Sequence, residues 1–151
     1  MRVVKMHEND VLDFYSANTE TALSLPFFNG GVSAGFPSPA EDFLENELDF
    51  NAAFIKHPSA TFYAKVKGNS MKDAGISNGD IMVIDRSLEP NNGDIAVCYL
   101  DGEFTVKTIM IEKDAVWLVA QNEQYEPIRV TEENELIIWG IVINVIKTFR
   151  K

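Results

Sequence analysis

From Thr61 to Phe149 apolar and polar residues alternate with a period of two, and short turn signals interrupt the pattern repeatedly. This constrains the chain more than any other feature. A period of two sends successive side chains to opposite faces of a strand, whereas an amphipathic helix needs 3.6. Candidate strands are 61–67, 80–85, 94–100, 103–111, 115–120, 128–130 and 136–149. Asn78-Gly79, Asn92-Gly93 and Asp101-Gly102 supply turns, the last joining two strands as a two-residue hairpin. Many short strands with polar turns imply a mainly β fold, a twisted antiparallel and partly barrel-like domain. Leu136 to Ile146 is almost continuously apolar, as befits a strand covered on both faces, within the fold or by a second subunit, and Gly140 marks a bulge or bend in it.

Upstream the pattern changes. Residues 1–29 read as an irregular, flexible arm with a short strand near Met1–Met6. Asn29 to Pro39 holds three glycines and two prolines and reads as an extended linker. Ser38-Pro39-Ala40-Glu41 then has the form of a helix start, with serine as N-cap, proline at N1 and glutamate completing a capping box. Phe43, Leu44 and Leu48 would give that one short helix its apolar side, and Asn51–Ile55 a further turn.

At 151 residues, 46% of them hydrophobic, the chain can bury a core. Its net charge of −10 argues against direct duplex DNA binding, where lysine and arginine must neutralise phosphates, and suits a protein that works through protein partners. The single cysteine, Cys98, lies in an apolar strand pattern and reads as a buried core residue. No apolar run approaches the ~20 residues of a membrane-spanning helix, and no signal peptide is evident, so the expected location is cytoplasmic, away from any membrane. Two histidines and one cysteine form no ligand cluster, and there is neither a GxGxxG nor a P-loop, so no metal or cofactor is expected. His7 falls in the arm. His57 precedes a proline, where a solvent-facing ring is the usual outcome, and a Ser-His-Asp triad finds no support.

The chemistry concentrates between Lys65 and Ile111. Gly68-Asn69-Ser70-Met71 closes a strand-like run, and the glycine permits a tight bend from which the Ser70 hydroxyl can stand out. Lys107 sits mid-strand on one face with Thr105, Ile109 and Ile111, and no acidic residue lies closer in sequence than Glu103 and Glu112. A lysine among apolar groups loses the solvation that favours its charge, and a neutral amine can take the proton of a serine hydroxyl. Ser70 as nucleophile and Lys107 as general base would form a Ser-Lys dyad, with backbone N–H groups around Asn69, Ser70 and Met71 as the candidate oxyanion hole.

These residues resemble the LexA/UmuD family of self-cleaving serine peptidases. The likeness runs from about Gly35 to Arg150 and is densest in Phe36-Pro37-Ser38-Pro39-Ala40, His57-Pro58-Ser59-Ala60-Thr61, Gly68-Asn69-Ser70-Met71, Gly75–Asp80 and Asp101–Lys107. The resemblance implies nucleophile Ser70, base Lys107 and a scissile bond at Ala34-Gly35. It implies an arm, 1–34, removed by self-cleavage, a linker and short helix over 35–60, and a β peptidase domain over 61–151. It further implies an SOS-response role: cleavage stimulated by a RecA–single-stranded DNA filament, then a homodimer serving an error-prone UmuC-type Y-family translesion polymerase. The alternative is a LexA-like or phage-type repressor cut by the same chemistry. That requires a DNA-reading domain ahead of the linker, where residues 1–30 carry two basic side chains against four acidic ones.

Overall fold

Strand alternation and turn chemistry build one open antiparallel sheet. The computed structural model describes residues 5–8, 12–17, 24–28 and 44–150. Its strands are β1 (Lys5–Glu8), β2 (Leu12–Ser16), β3 (Ser24–Phe28), β4 (Leu44–Asp49), β5 (Thr61–Val66), β6 (Ile81–Asp85), β7 (Ile95–Leu100), β8 (Glu103–Ile111), β9 (Val116–Val119), β10 (Ile128–Val130) and β11 (Leu136–Ile146). Among the described residues nine strands form a sheet in the order β1-β2-β5-β6-β11-β7-β8-β9-β10, and β3 pairs with β4 separately. The two ends of the large sheet do not pair with each other, so the barrel-like curvature does not close.

The longest strand, β11, lies at the centre, paired on one side with β6 and on the other with β7. Its apolar sequence suits that position: Trp139, Val142 and Val145 pack on one core and Ile138 and Ile141 on the other, while Ile137 and Ile146 stay exposed. One core gathers Leu12, Phe14, Ala64, Met82, Ile84, Val97 and Val106. The other gathers Ala96, Cys98, Ile109, Leu118 and Ile141. Neighbouring residues of β7 serve opposite cores, as the pleat dictates. Phe14, Phe104 and Trp139 meet in an aromatic cluster with centroids 4.8–4.9 Å apart for the Phe14 pairs.

Gly140 bends β11 as its sequence suggests. The register with β7 shifts between Ile138 and Gly140, and a Cβ at Gly140 would stand 2.5 Å from Ile84 Cγ2. At the tip of the β7–β8 hairpin, Asp101 and Gly102 both take positive φ, the conformation of a primed two-residue turn.

The N-terminal third departs from the sequence expectation twice. Residues 12–16, read as irregular, form β2 against β5, with Leu12 opposite Val66 and Ser16 opposite Phe62. Leu12 and Phe14 are buried, and each such side chain contributes roughly 1.5–3 kcal/mol, enough to hold a polar-looking segment in the sheet. Leu44–Asp49, within the segment expected to be helical from Ser38 onward, is instead β4, which pairs with β3. The helix α1 spans Phe50–Phe54 and is capped by Asp49, whose side chain accepts from Asn51 N at 3.1 Å. The Ser38 capping box lies outside the described residues. Capping and pairing at this segment compete, and the cross-strand partner decides.

Candidate active site

The Ser70 turn is tied at its base to the following loop. Val66 N donates to Asp80 O at 2.9 Å and Gly79 N to Val66 O at 2.8 Å. Gly68 has φ +97°, a conformation that a side chain would strain, and donates its N–H to Asn78 Oδ1 at 3.0 Å. Met71 is the anchor. Its side chain is buried in the first core, and its carbonyl accepts from Ala74 N and Ile76 N at 3.1 and 3.2 Å. With Met71 drawn inward, Ser70 remains half-buried at the surface of the turn. The backbone N–H groups of Asn69, Ser70 and Met71 have no acceptor among the described residues.

Lys107 lies in β8 opposite Ala96 of β7, on the face that also carries Thr105, Cys98 and Ile109. The whole residue is 7% exposed. Its Nζ donates to Thr105 Oγ1 at 2.9 Å and to Val106 O at 3.4 Å, and the Tyr125 ring centroid lies 5.8 Å away. Burial pushes the amine below the ordinary lysine value. Burial likewise drives the Cys98 thiol up to about 12, against the pull of Lys107, so the thiol stays neutral and supplies no counter-charge near pH 7. Among the described residues no carboxylate pairs with Lys107.

A short segment after β9 joins the two regions. Gln121 Nε2 donates to Thr108 Oγ1, next to Lys107, at 3.1 Å. Gln121 also accepts from Asp73 N at 2.8 Å and donates its own N–H to Met71 Sδ at 3.3 Å. Asn122 Nδ2 donates to Asn69 O at 2.9 Å. The serine turn is thus laced to the strand bearing the lysine. Ser70 Oγ and Lys107 Nζ make no direct hydrogen bond here; the amine's partners are Thr105 and Val106. Catalytic hydrogen bonds are often long or unformed without substrate.

Ala34 and Gly35 lie outside the described residues. Phe28 of β3 and Leu44 of β4 are register partners. The fold also reveals a pairing that sequence reasoning missed. His57 Nδ1 lies 2.5 Å from Asp85 Oδ2, with the imidazole 49% exposed and the carboxylate 1% exposed. Ser87 donates both its Oγ and its N–H to Asp85 Oδ1 at 2.6 and 2.8 Å. A serine, a histidine and an aspartate therefore meet, but Ser87 bonds to the carboxylate rather than to the imidazole, so the order needed for a nucleophile–base–carboxylate relay is absent. Among the described residues no group of three His, Cys, Asp or Glu side chains could hold a metal ion.

This serine turn and desolvated lysine sit on a fold with known relatives. The Peptidase S24-like family model matches residues 26–143, and the chain belongs to that family of serine peptidases. Protein ImpA of Escherichia coli is 40% identical over 127 residues, covering 83% of this chain and 86% of ImpA. Protein MucA of Escherichia coli is 38% identical over 130 residues, covering 85% and 88%. The LexA repressor of Ectopseudomonas mendocina is 41% identical over 119 residues, covering 78% of this chain and 58% of the repressor. The resemblance to the LexA/UmuD family is borne out.

Proposed function

We propose that this chain is a self-cleaving serine peptidase of the bacterial SOS response, with Ser70 as nucleophile, Lys107 as general base and Ala34-Gly35 as its own scissile bond. The observation that carries this is Lys107: a buried amine with no carboxylate beside it among the described residues, its basicity lowered by burial, on a strand laced to the Ser70 turn.

A neutral lysine amine has two N–H donors and one lone pair. Thr105 Oγ1 and Val106 O occupy the two donors, which leaves the lone pair for the Ser70 proton. The linker between β3 and β4 brings the Ala34 carbonyl to Ser70. Ser70 Oγ loses its proton to Lys107 Nζ and attacks the Ala34 carbonyl carbon. The N–H groups at 69–71, which have no acceptor among the described residues, stabilise the resulting oxyanion. Collapse breaks the Ala34–Gly35 C–N bond, and Lys107 returns the proton to the Gly35 nitrogen. Water, deprotonated by Lys107, then hydrolyses the Ser70 ester and releases residues 1–34 from residues 35–151.

Docking of the segment completes the burial of Lys107, so cleavage is slow until a partner favours the docked state. By kinship with the LexA/UmuD family, that partner is a RecA–single-stranded DNA filament. The product is a cytoplasmic homodimer that serves a UmuC-type polymerase. Intact mass spectrometry after alkaline incubation tests the core of this reading. Fragments 1–34 and 35–151 are expected, absent in Ser70→Ala and Lys107→Ala. Cleavage at a normal rate in Lys107→Ala would end it.

A further inference from the structure

Asn122 occupies a place that the chemistry above leaves unused. It is 2% exposed, buried in a loop between β9 and β10. Its Oδ1 accepts from Gln124 N at 3.0 Å, which fixes the amide orientation and leaves Nδ2 as the group that donates to Asn69 O. The same Asn69 carbonyl accepts from Lys72 N at 3.2 Å. In a trans peptide the carbonyl and the following N–H point in opposite directions. Pinning Asn69 C=O toward Asn122 therefore aims the Ser70 N–H away from the Asn122 loop, and that N–H has no acceptor among the described residues. The Asn69 carbonyl has two lone pairs, and with Asn122 Nδ2 and Lys72 N each taking one, the Asn69–Ser70 peptide is held from two sides.

We propose that Asn122 is a positioning residue for self-cleavage: its side-chain amide locks the Asn69–Ser70 peptide so that the Ser70 N–H stands ready to receive the oxyanion. The proposal rests on the peptidase reading above. Loss of one oxyanion donor typically costs ~100- to 1,000-fold in rate, and a misaligned donor costs part of that. The same loop carries Tyr125, 5.8 Å from Lys107 Nζ, and this separates positioning from general loosening. If the loop merely loosened, Lys107 would become more solvated and the alkaline midpoint of cleavage would rise. A misaligned Ser70 N–H lowers the plateau rate and leaves the midpoint in place.

The test compares pH–rate profiles of self-cleavage for wild type and Asn122→Leu, an uncharged side chain of similar size. The expected result is a plateau roughly 10- to 100-fold lower with an unchanged midpoint. A plateau within about threefold of wild type, or a loss that comes through a raised midpoint, overturns the positioning role alone. Failure of wild type to cut after Ala34 overturns the peptidase reading and this role together. Independently of how the variant folds, Ser70→Ala protein should show a through-hydrogen-bond scalar coupling between Asn122 Nδ2 and Asn69 C′. Its absence overturns the proposal.

Discussion

Under the proposed Ser70–Lys107 chemistry, the pH dependence of self-cleavage follows from where Lys107 sits. An ordinary lysine near pKa 10.4 is neutral in only ~1 molecule in 2,500 at pH 7. Each unit by which burial lowers that value raises the neutral fraction tenfold. Lys107 is 7% exposed, faces a neutral Cys98 thiol and has no carboxylate partner among the described residues; burial shifts it downward. If the neutral amine is the base, the first-order cleavage rate should climb about tenfold per pH unit and level off at a midpoint clearly below ~10.4. The assay is a time course at several pH values, quantified by intact mass. Lys107→Met gives the thermodynamic counterpart. A folded-state lysine pKa below the unfolded one means that the unfolded chain holds its proton more tightly, which destabilises the fold at neutral pH, with the penalty fading as pH rises toward the unfolded value. Lys107→Met should therefore abolish cleavage while leaving neutral-pH stability equal to or above that of Ser70→Ala. A midpoint at or above the ordinary lysine value would refute the reasoning.

Two other perturbations probe the frame around the site. Gly140→Ala would place a Cβ 2.5 Å from Ile84 Cγ2, where carbon atoms prefer roughly 3.5–4.0 Å, so a fully buried side chain must retreat by about 1 Å. In the Ser70→Ala background this should cost ~1–3 kcal/mol and lower Tm by roughly 2–12 °C; an unchanged Tm would mean that β11 does not approach β6 so closely. At Asp85 burial raises the carboxyl, but hydrogen bonds from Ser87 and His57 and the His57 charge outweigh it, and the net shift is downward. A depressed carboxyl stabilises above its unfolded value near 3.9 and loses that contribution as pH falls through the folded value. Asp85→Asn should therefore destabilise at pH 7 and flatten the stability loss below about pH 4, measured by urea unfolding; an unaltered acid limb would contradict the assignment.

Most of the sheet was legible from Thr61 onward because a two-residue period and Asn-Gly or Asp-Gly turns act locally. The continuous apolarity of β11 suited a central strand and a subunit contact alike, and its pairing with both β6 and β7 makes it central. The N-terminal third was not legible for the same physical reason in reverse. In β2, Leu12 and Phe14 flank Asp13, too short an alternation to outweigh polar neighbours, and only the exposed edge of β5 gives it a reason to be a strand. The capping box at Ser38 argued for a helix where β3 supplies a partner for β4. Within the site, Lys107 and its burial could be read from alternation, and Thr105 from sharing its face. Asn122 and the His57–Asp85 pair could not. Asn122 meets Asn69 across 53 residues, and Asp85 meets His57 across 28, with nothing in the local sequence to signal either contact.

The central claim is that the amine at position 107 is uncharged when it works. The direct measurement is a 15Nζ titration of Lys107 by NMR in Ser70→Ala protein. The account requires a midpoint below the ordinary lysine range, falling where the cleavage rate of wild type levels off. A Lys107 that titrates like a surface lysine, while wild type still cuts itself near neutral pH, would contradict it.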